Sequence, residues 1–275
     1  FYECSSLKAI YASPKFVVVN SPNLISKALM FELCYQLAGE SMSYSPACVD
    51  GDYAKIVGGY FLNATYLKPW VKQNGKTFTF YYGYGYKKTL SEGEGEYKLE
   101  DWLNKKRNDR TSFTKATFDE SFALYQPTSC DSWFFYYLRL EEIENLHYLN
   151  TSKVTTMEGM FMQCSVIKSL DLSAFETSNV ENFYGMFAHC KELESLDVSN
   201  FDTSAATNMR EMFIRCLKLK TIDLTNFETA KVKTMTKMFS KSTNLKAVIV
   251  GSKFSNSLDE CTYMFADTPA QLYSH

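Results

Sequence analysis

Hydrophobic positions in the second half of the chain follow a fixed rhythm. Phe161, Phe187, Phe213, Phe239 and Phe265 are each 26 residues apart, and Met160, Met186, Met212, Met238 and Met264 precede them. One period, Val154 to Asn179, reads VTTMEGMFMQCSVIKSLDLSAFETSN. Val154, Met157, Phe161 and Cys164 share one face of a short helix or of a chain of helical turns. The stretch after them alternates: Leu170 and Leu172 point one way, Ser169, Asp171 and Ser173 the other, as in a strand with one buried face. Phe175 anchors the turn back, and Thr177, Ser178 and Asn179 are suited to capping the next helical segment. Each coil therefore reads as strand, turn, helical segment, turn.

The columns repeat from coil to coil. The first inward strand position is Leu170, Leu196, Ile222 and Val248; the second is Leu172, Val198, Leu224 and Val250. The turn aromatic is Phe175, Phe201 and Phe227, with Phe254 displaced by one. Such self-similarity marks a solenoid, in which a coil buries its apolar face against its neighbours rather than within itself. The Met-Phe pairs are then core filler and not a cofactor box. Trp133-Phe134, 27 residues before Met160-Phe161, marks a degenerate first coil. Phe1, Cys4, Leu7 and Ile10 look like the second half of another unit, and Phe31 sits in its successor. On that reading residues 1–40 end a first array, and the sequence is a piece of a longer protein.

Residues 41–111 break the rhythm, with tyrosine and glycine dominating. Asn74-Gly75 between alternating stretches signals a β-hairpin. The charged run from Ser91 to Arg110 is expected to be exposed. ATFDESF, from Ala116, is expected to form a short strand covering the edge of the second array, which spans 112–275 with its cap, because solenoids need caps. The fold class expected is α/β: a solenoid with a parallel sheet on one face and short helical segments on the other, interrupted by the hairpin-rich segment.

Composition narrows the function. The chain has 275 residues, 45% of them hydrophobic, enough for a sizeable core. A net charge of −2 gives no electrostatic case for nucleic acid or an anionic membrane. No apolar run is long enough to span a bilayer. No leader segment is visible. A monomer is expected.

Chemistry-bearing residues are few in pattern. The column Cys164, Cys190, Cys216 continues as Ser242 and Thr268. A position accepting Cys, Ser and Thr calls for a small, weakly hydrogen-bonding group, so buried thiols are favoured over disulfides. No C-x-x-C occurs, and only three histidines are present, so no metal is expected. His189 and Cys190 would point about 100° apart on a helical segment, which argues against a nucleophile pair. Gly83, Gly85, Gly93 and Gly95 read as loop residues, without a phosphate-binding motif. No cofactor and no catalytic residues are assigned. Two surfaces remain as binding candidates. One is Tyr81, Tyr82, Tyr84 and Tyr86, a density of tyrosine that suits contact. The other is the outward row Asp171, Asp197 and Asp223, which either accepts backbone N–H groups or presents an acidic stripe to a cation or a basic partner.

The pattern V-x-x-M-x-x-M-F-x-x-C-x-x-L-x-x-L-D-L-S-x-F-x-T-S is similar to the BspA-type leucine-rich repeat of bacterial surface proteins. DYAKIVGGYF, KTFTFYYGYG and the run from ATFDESF to Met157 follow the order those proteins show between repeat blocks. Phe183 for Met and Ala206 for Val depart from it. The resemblance implies a leucine-rich-repeat solenoid, secretion or surface display, and adhesion to protein or glycan partners of a host or of neighbouring bacteria. It implies no enzyme. The rival readings are a structural spacer and the non-catalytic carrier region of a larger secreted enzyme.

Overall fold

The computed structural model describes residues 10–12, 61–63, 68–83, 94–105, 107–255 and 261–274. The chain divides into two compact units, Phe1–Lys68 with Gly83–Gly85 and Pro69–Tyr82 with Tyr86–His275. In the first unit β1 (Ile10–Ala12) pairs in parallel with β2 (Phe61–Asn63). The rest of the expected first array, with Cys34, and residues 41–60, with Cys48, lie outside the described residues.

The second unit begins with a cap. β3 (Lys68–Asn74) and β4 (Thr77–Gly83) are neighbours joined through Gly75, whose φ of +56° is the left-handed conformation a tight turn demands. β5 (Glu94–Lys98) pairs antiparallel with β3. Two short helices follow, α1 (Leu99–Leu103) and α2 (Arg107–Arg110). β6 (Lys115–Phe118) then lies parallel between β4 and β7 (Glu142–Glu144). Of the expected strand ATFDESF, Ala116 to Phe118 lie in β6 beside β7 of the first coil, and Glu120–Leu124 form a 3-10 helix capped by Asp119. The run 91–110 departs from the expectation of an exposed loop. Gly95 is in β5, and Leu99 and Trp102, three apart on α1, are buried at 4% and 0%. Two apolar residues hidden in a charged run are enough to seat a one-turn helix.

Phe78, Phe80, Phe113, Phe118 and Phe122 fill the cap, with Trp102. Phe134 joins this cluster to the array: its ring is 5.8 Å from Phe80 and 5.4 Å from Phe161. Arg110, only 5% exposed, ties α2 to the first coil. Its guanidinium donates to the carbonyls of Leu103, Lys105, Ser132 and Phe135. Those bonds offset the cost of taking the charge out of water.

From residue 128 the chain winds into a β-solenoid of about six coils. Phe134, Phe161, Phe187, Phe213, Phe239 and Phe265 stack one per coil, 5.2–5.7 Å apart and within 11° of parallel. β8 (Thr221–Leu224), β9 (Ala247–Val250) and β10 (Gln271–Ser274) form a parallel sheet in which Thr221 and Gln271 flank Ala247. Leu170, Leu196, Ile222 and Val248 are all buried, as the alternation requires.

The Met-Phe side is not helical. No helix is assigned among the described residues of these segments. They are chains of tight turns in which the backbone hydrogen bonds alternate. Met157, Gly159, Phe161 and Gln163 donate to Asn182, Tyr184, Met186 and Ala188 of the next coil at 2.7–2.9 Å. Met160, Met162 and Cys164 donate three residues back within their own coil, at 3.0–3.1 Å. The conformation is set by left-handed residues at two places per coil: Ser132 and Tyr136, Gly159 and Gln163, Gly185 and His189, Glu211 and Arg215, Lys237 and Lys241, Tyr263 and Asp267. An α-helix cannot run through such residues. Spacings of three and four arise equally from successive turns, which is why the pattern mimicked a helix. The caps expected at Thr177 fall with it. Thr151, Thr177 and Thr203 are buried, and each hydroxyl both donates to and accepts from one backbone peptide of the next coil, Glu176, Asp202 or Glu228.

Candidate functional site

The cysteine column is structural. Cys164, Cys190 and Cys216 are fully buried and free. Their Sγ atoms face the carbonyls of Phe134, Phe161 and Phe187 at 3.2–3.3 Å. Ser242 and Thr268 donate to Phe213 and Phe239 in the same way. One small donor per coil is the common requirement. Burial pushes the Cys190 thiol up to about 12, so it holds no thiolate near neutral pH. Its neighbour His189 faces outward and is half-buried.

The outward strand row is exposed, and each carboxylate closes its own turn. Asp171 accepts from the backbone N–H and hydroxyl of Ser173 at 3.1 and 2.6 Å, Asp223 from those of Thr225, and Asp197 from the N–H of Ser199. Hydrogen bonds to Ser173 and Ser199 hold Asp171 and Asp197 below the usual carboxylate range. These partners lie two residues on in the same coil, so the row is built from local turns.

The tyrosine cluster is divided. Tyr81 stacks on Trp70 with ring centres 4.4 Å apart, and Tyr82 stacks on Tyr125 at 5.5 Å. Both are half-buried. Burial and the Asp119 carboxylate push the Tyr81 phenol up. Tyr84 and Tyr86 lie outside the described residues.

A third surface has no counterpart in the sequence reading. On the turn side of the later coils lies a shallow groove of about 480 Å³, within the range of small-ligand sites. Its wall is made of the left-handed columns: His189, Arg215, Lys241 and Asp267 in one, Glu211, Lys237 and Tyr263 in the other. The second column is informative. Its earlier members are Ser132, Gly159 and Gly185, and a Cβ on Gly185 would collide with the Cε methyl of Met162. In the later coils the same strained position carries glutamate, lysine and tyrosine. A non-glycine residue costs roughly 1–2 kcal/mol in this conformation, and strain of this kind collects at working surfaces. Tyr263 is 66% exposed. Glu211 is engaged by Arg210 at 3.2 Å and by the Tyr184 hydroxyl at 3.4 Å. Burial first, then the charges of Arg215 and Lys191, depress the His189 imidazole, with Glu211 opposing. The signal in the sequence is the set of variable residues around the constant Met-Phe pair.

Among the described residues no cluster of three His, Cys, Asp or Glu side chains is placed to hold a metal ion, and no helix is long and apolar enough to cross a membrane.

Residues 128–254, from the first coil into the fifth, match the family model of a Mycoplasma protein of unknown function, DUF285. No curated protein and no solved structure matches the chain.

Proposed function

We propose that this chain is a non-catalytic binding module displayed outside the cell, a repeat protein of the BspA-like leucine-rich type whose solenoid surface meets protein or glycan partners. The observation that carries the reading is the groove. The last three coils carry large charged and aromatic side chains at a left-handed position that holds serine or glycine in the first three. A spacer gains little from that exchange, because the left-handed position strains a non-glycine residue. The resemblance of its motif to the repeats of bacterial surface proteins supports display outside the cell.

The frame suits the role. The turn segments that carry Glu211, Arg215, Lys237 and Lys241 are fixed by bonds to the next coil, so these groove side chains start from an ordered backbone and lose little entropy on binding. The test is a printed array of glycans and extracellular-matrix proteins, probed with the labelled chain. Saturable capture of a defined ligand class, with dissociation constants of about 10 μM or tighter, is the expected result. Absence of any saturable capture would leave the spacer reading in its place.

A further inference from the structure

The groove has a charge character that the chain as a whole lacks. Arg215, Lys237 and Lys241 line it together with Tyr263. Its two carboxylates are Glu211, already bonded by Arg210 and Tyr184, and Asp267. Arg215 and Lys241 hold the same position on adjacent coils, and stacked strands sit only about 4.8 Å apart, so two like charges are built side by side. The net charge of the whole chain is −2, so this local excess of cations is not a bulk property.

We propose that the groove binds an acidic glycan, an oligosaccharide bearing sulfate or carboxylate groups, with Arg215 and Lys241 pairing to the anionic groups and Tyr263 offering its ring face to a sugar. The proposal rests on the reading of the chain as a binding module. Sulfate and carboxylate match the guanidinium fork and the lysine ammonium, and charge-assisted bonds of this kind are the strong ones. The backbone distinguishes a glycan from an acidic peptide. The N–H groups of Glu211, Phe213, Arg215, Lys237, Phe239 and Lys241 all donate to the following coil at 2.8–3.1 Å. None of these six is left to pair with a peptide strand, so recognition by strand addition is closed along the coils that carry Arg215 and Lys241. What remains is recognition by side chains alone, across a shallow trough with one exposed aromatic ring.

The experiment is a calorimetric titration of the whole chain with a heparin-derived octasaccharide, a neutral dextran octasaccharide and an octaglutamate peptide. The sulfated sugar is expected to bind, about tenfold or more tighter than the peptide, with no measurable heat from dextran. Arg215→Gln combined with Lys241→Gln should weaken binding by about tenfold or more, as should Tyr263→Ala, while Lys231→Gln combined with Lys233→Gln should stay within about twofold. Imidazole NMR supplies a second readout. An anion set against Arg215 and Lys191 should raise the depressed His189 pKa, with Glu211, Lys237, Lys241 and Asp267 as the other charged groups at the groove. Equal losses in the two lysine-containing double variants would mean non-specific attraction and overturn the site. Tighter binding of octaglutamate would make it a site for acidic peptides and overturn the glycan assignment, and no binding of the sulfated sugar would overturn it outright. Capture of a ligand of other chemistry on the array would then leave the broader binding reading standing; capture of nothing would end both.

Discussion

At the scale of single residues, the fold is written in what a position tolerates. The Cys, Ser, Thr column was legible as a small donor, and the structure adds the acceptor, a phenylalanine carbonyl of the preceding coil. The threonine column was legible as constant but was assigned the wrong task, because an N-cap and a latch between coils both call for threonine. The latch is testable. Thr203→Val leaves the N–H and carbonyl of Glu228 without their partner and should destabilise by about 2–4 kcal/mol, against about 1 kcal/mol or less for Thr203→Ser. Denaturant unfolding of the two variants checks it; equal losses would assign the cost to packing instead. The groove positions were least legible, since no sequence rule marks a lysine at positive φ. Lys237→Gly removes a strain of about 1–2 kcal/mol and costs about 0.5–1 kcal/mol in chain entropy, so stability should rise by up to about 1.5 kcal/mol. Lys237→Ala keeps the strain and should be near neutral. The same melts would contradict the conformational account if alanine stabilised more than glycine.

At the scale of the element, the strand half of each coil followed from alternation, because a period of two has one structural meaning. The Met-Phe half did not, because apolar residues at spacings of three and four fit a helix and a chain of turns alike. What separates them is backbone handedness, and in the later coils that is masked by residues such as Glu211 and Lys237 in place of glycine. The consequence of stacking is the same in either case. Phe187 is fully buried between the rings of Phe161 and Phe213, 5.7 and 5.6 Å away. Phe187→Ala should cost roughly 3–5 kcal/mol. In a solenoid that loss falls on the coil and its neighbours. Amide hydrogen exchange should therefore show protection lost most between about residues 157 and 216, and less in the cap strands β3 and β4. Equal loss throughout the second unit would show a single cooperative block instead.

At the scale of the whole molecule, the architecture separates frame from surface. Stacked rings, buried donors and threonine latches repeat in nearly every coil and fix the backbone. The cap closes the array with β6 and with the aromatic cluster shared through Phe134. The existence of a cap could be read ahead of the structure from ATFDESF and the hairpin signal; its helix could not, because only Leu99 and Trp102 betray it. On this frame lie three surfaces: a row of aspartates committed to local turns, tyrosines partly spent on stacking, and the groove, whose cations carry the least internal compensation. The central claim is that binding is done where the repeat departs from itself. The measurement that tests it most directly is surface plasmon resonance of the tightest array ligand against three proteins: the unaltered chain, Arg215→Gln with Lys241→Gln, and Asp171→Asn with Asp197→Asn. The groove variant should lose about tenfold or more in affinity, and the strand-row variant should stay within about twofold. A larger loss in the strand-row variant, with both proteins folded by circular dichroism, would contradict the account and move the working surface to the constant face of the repeat.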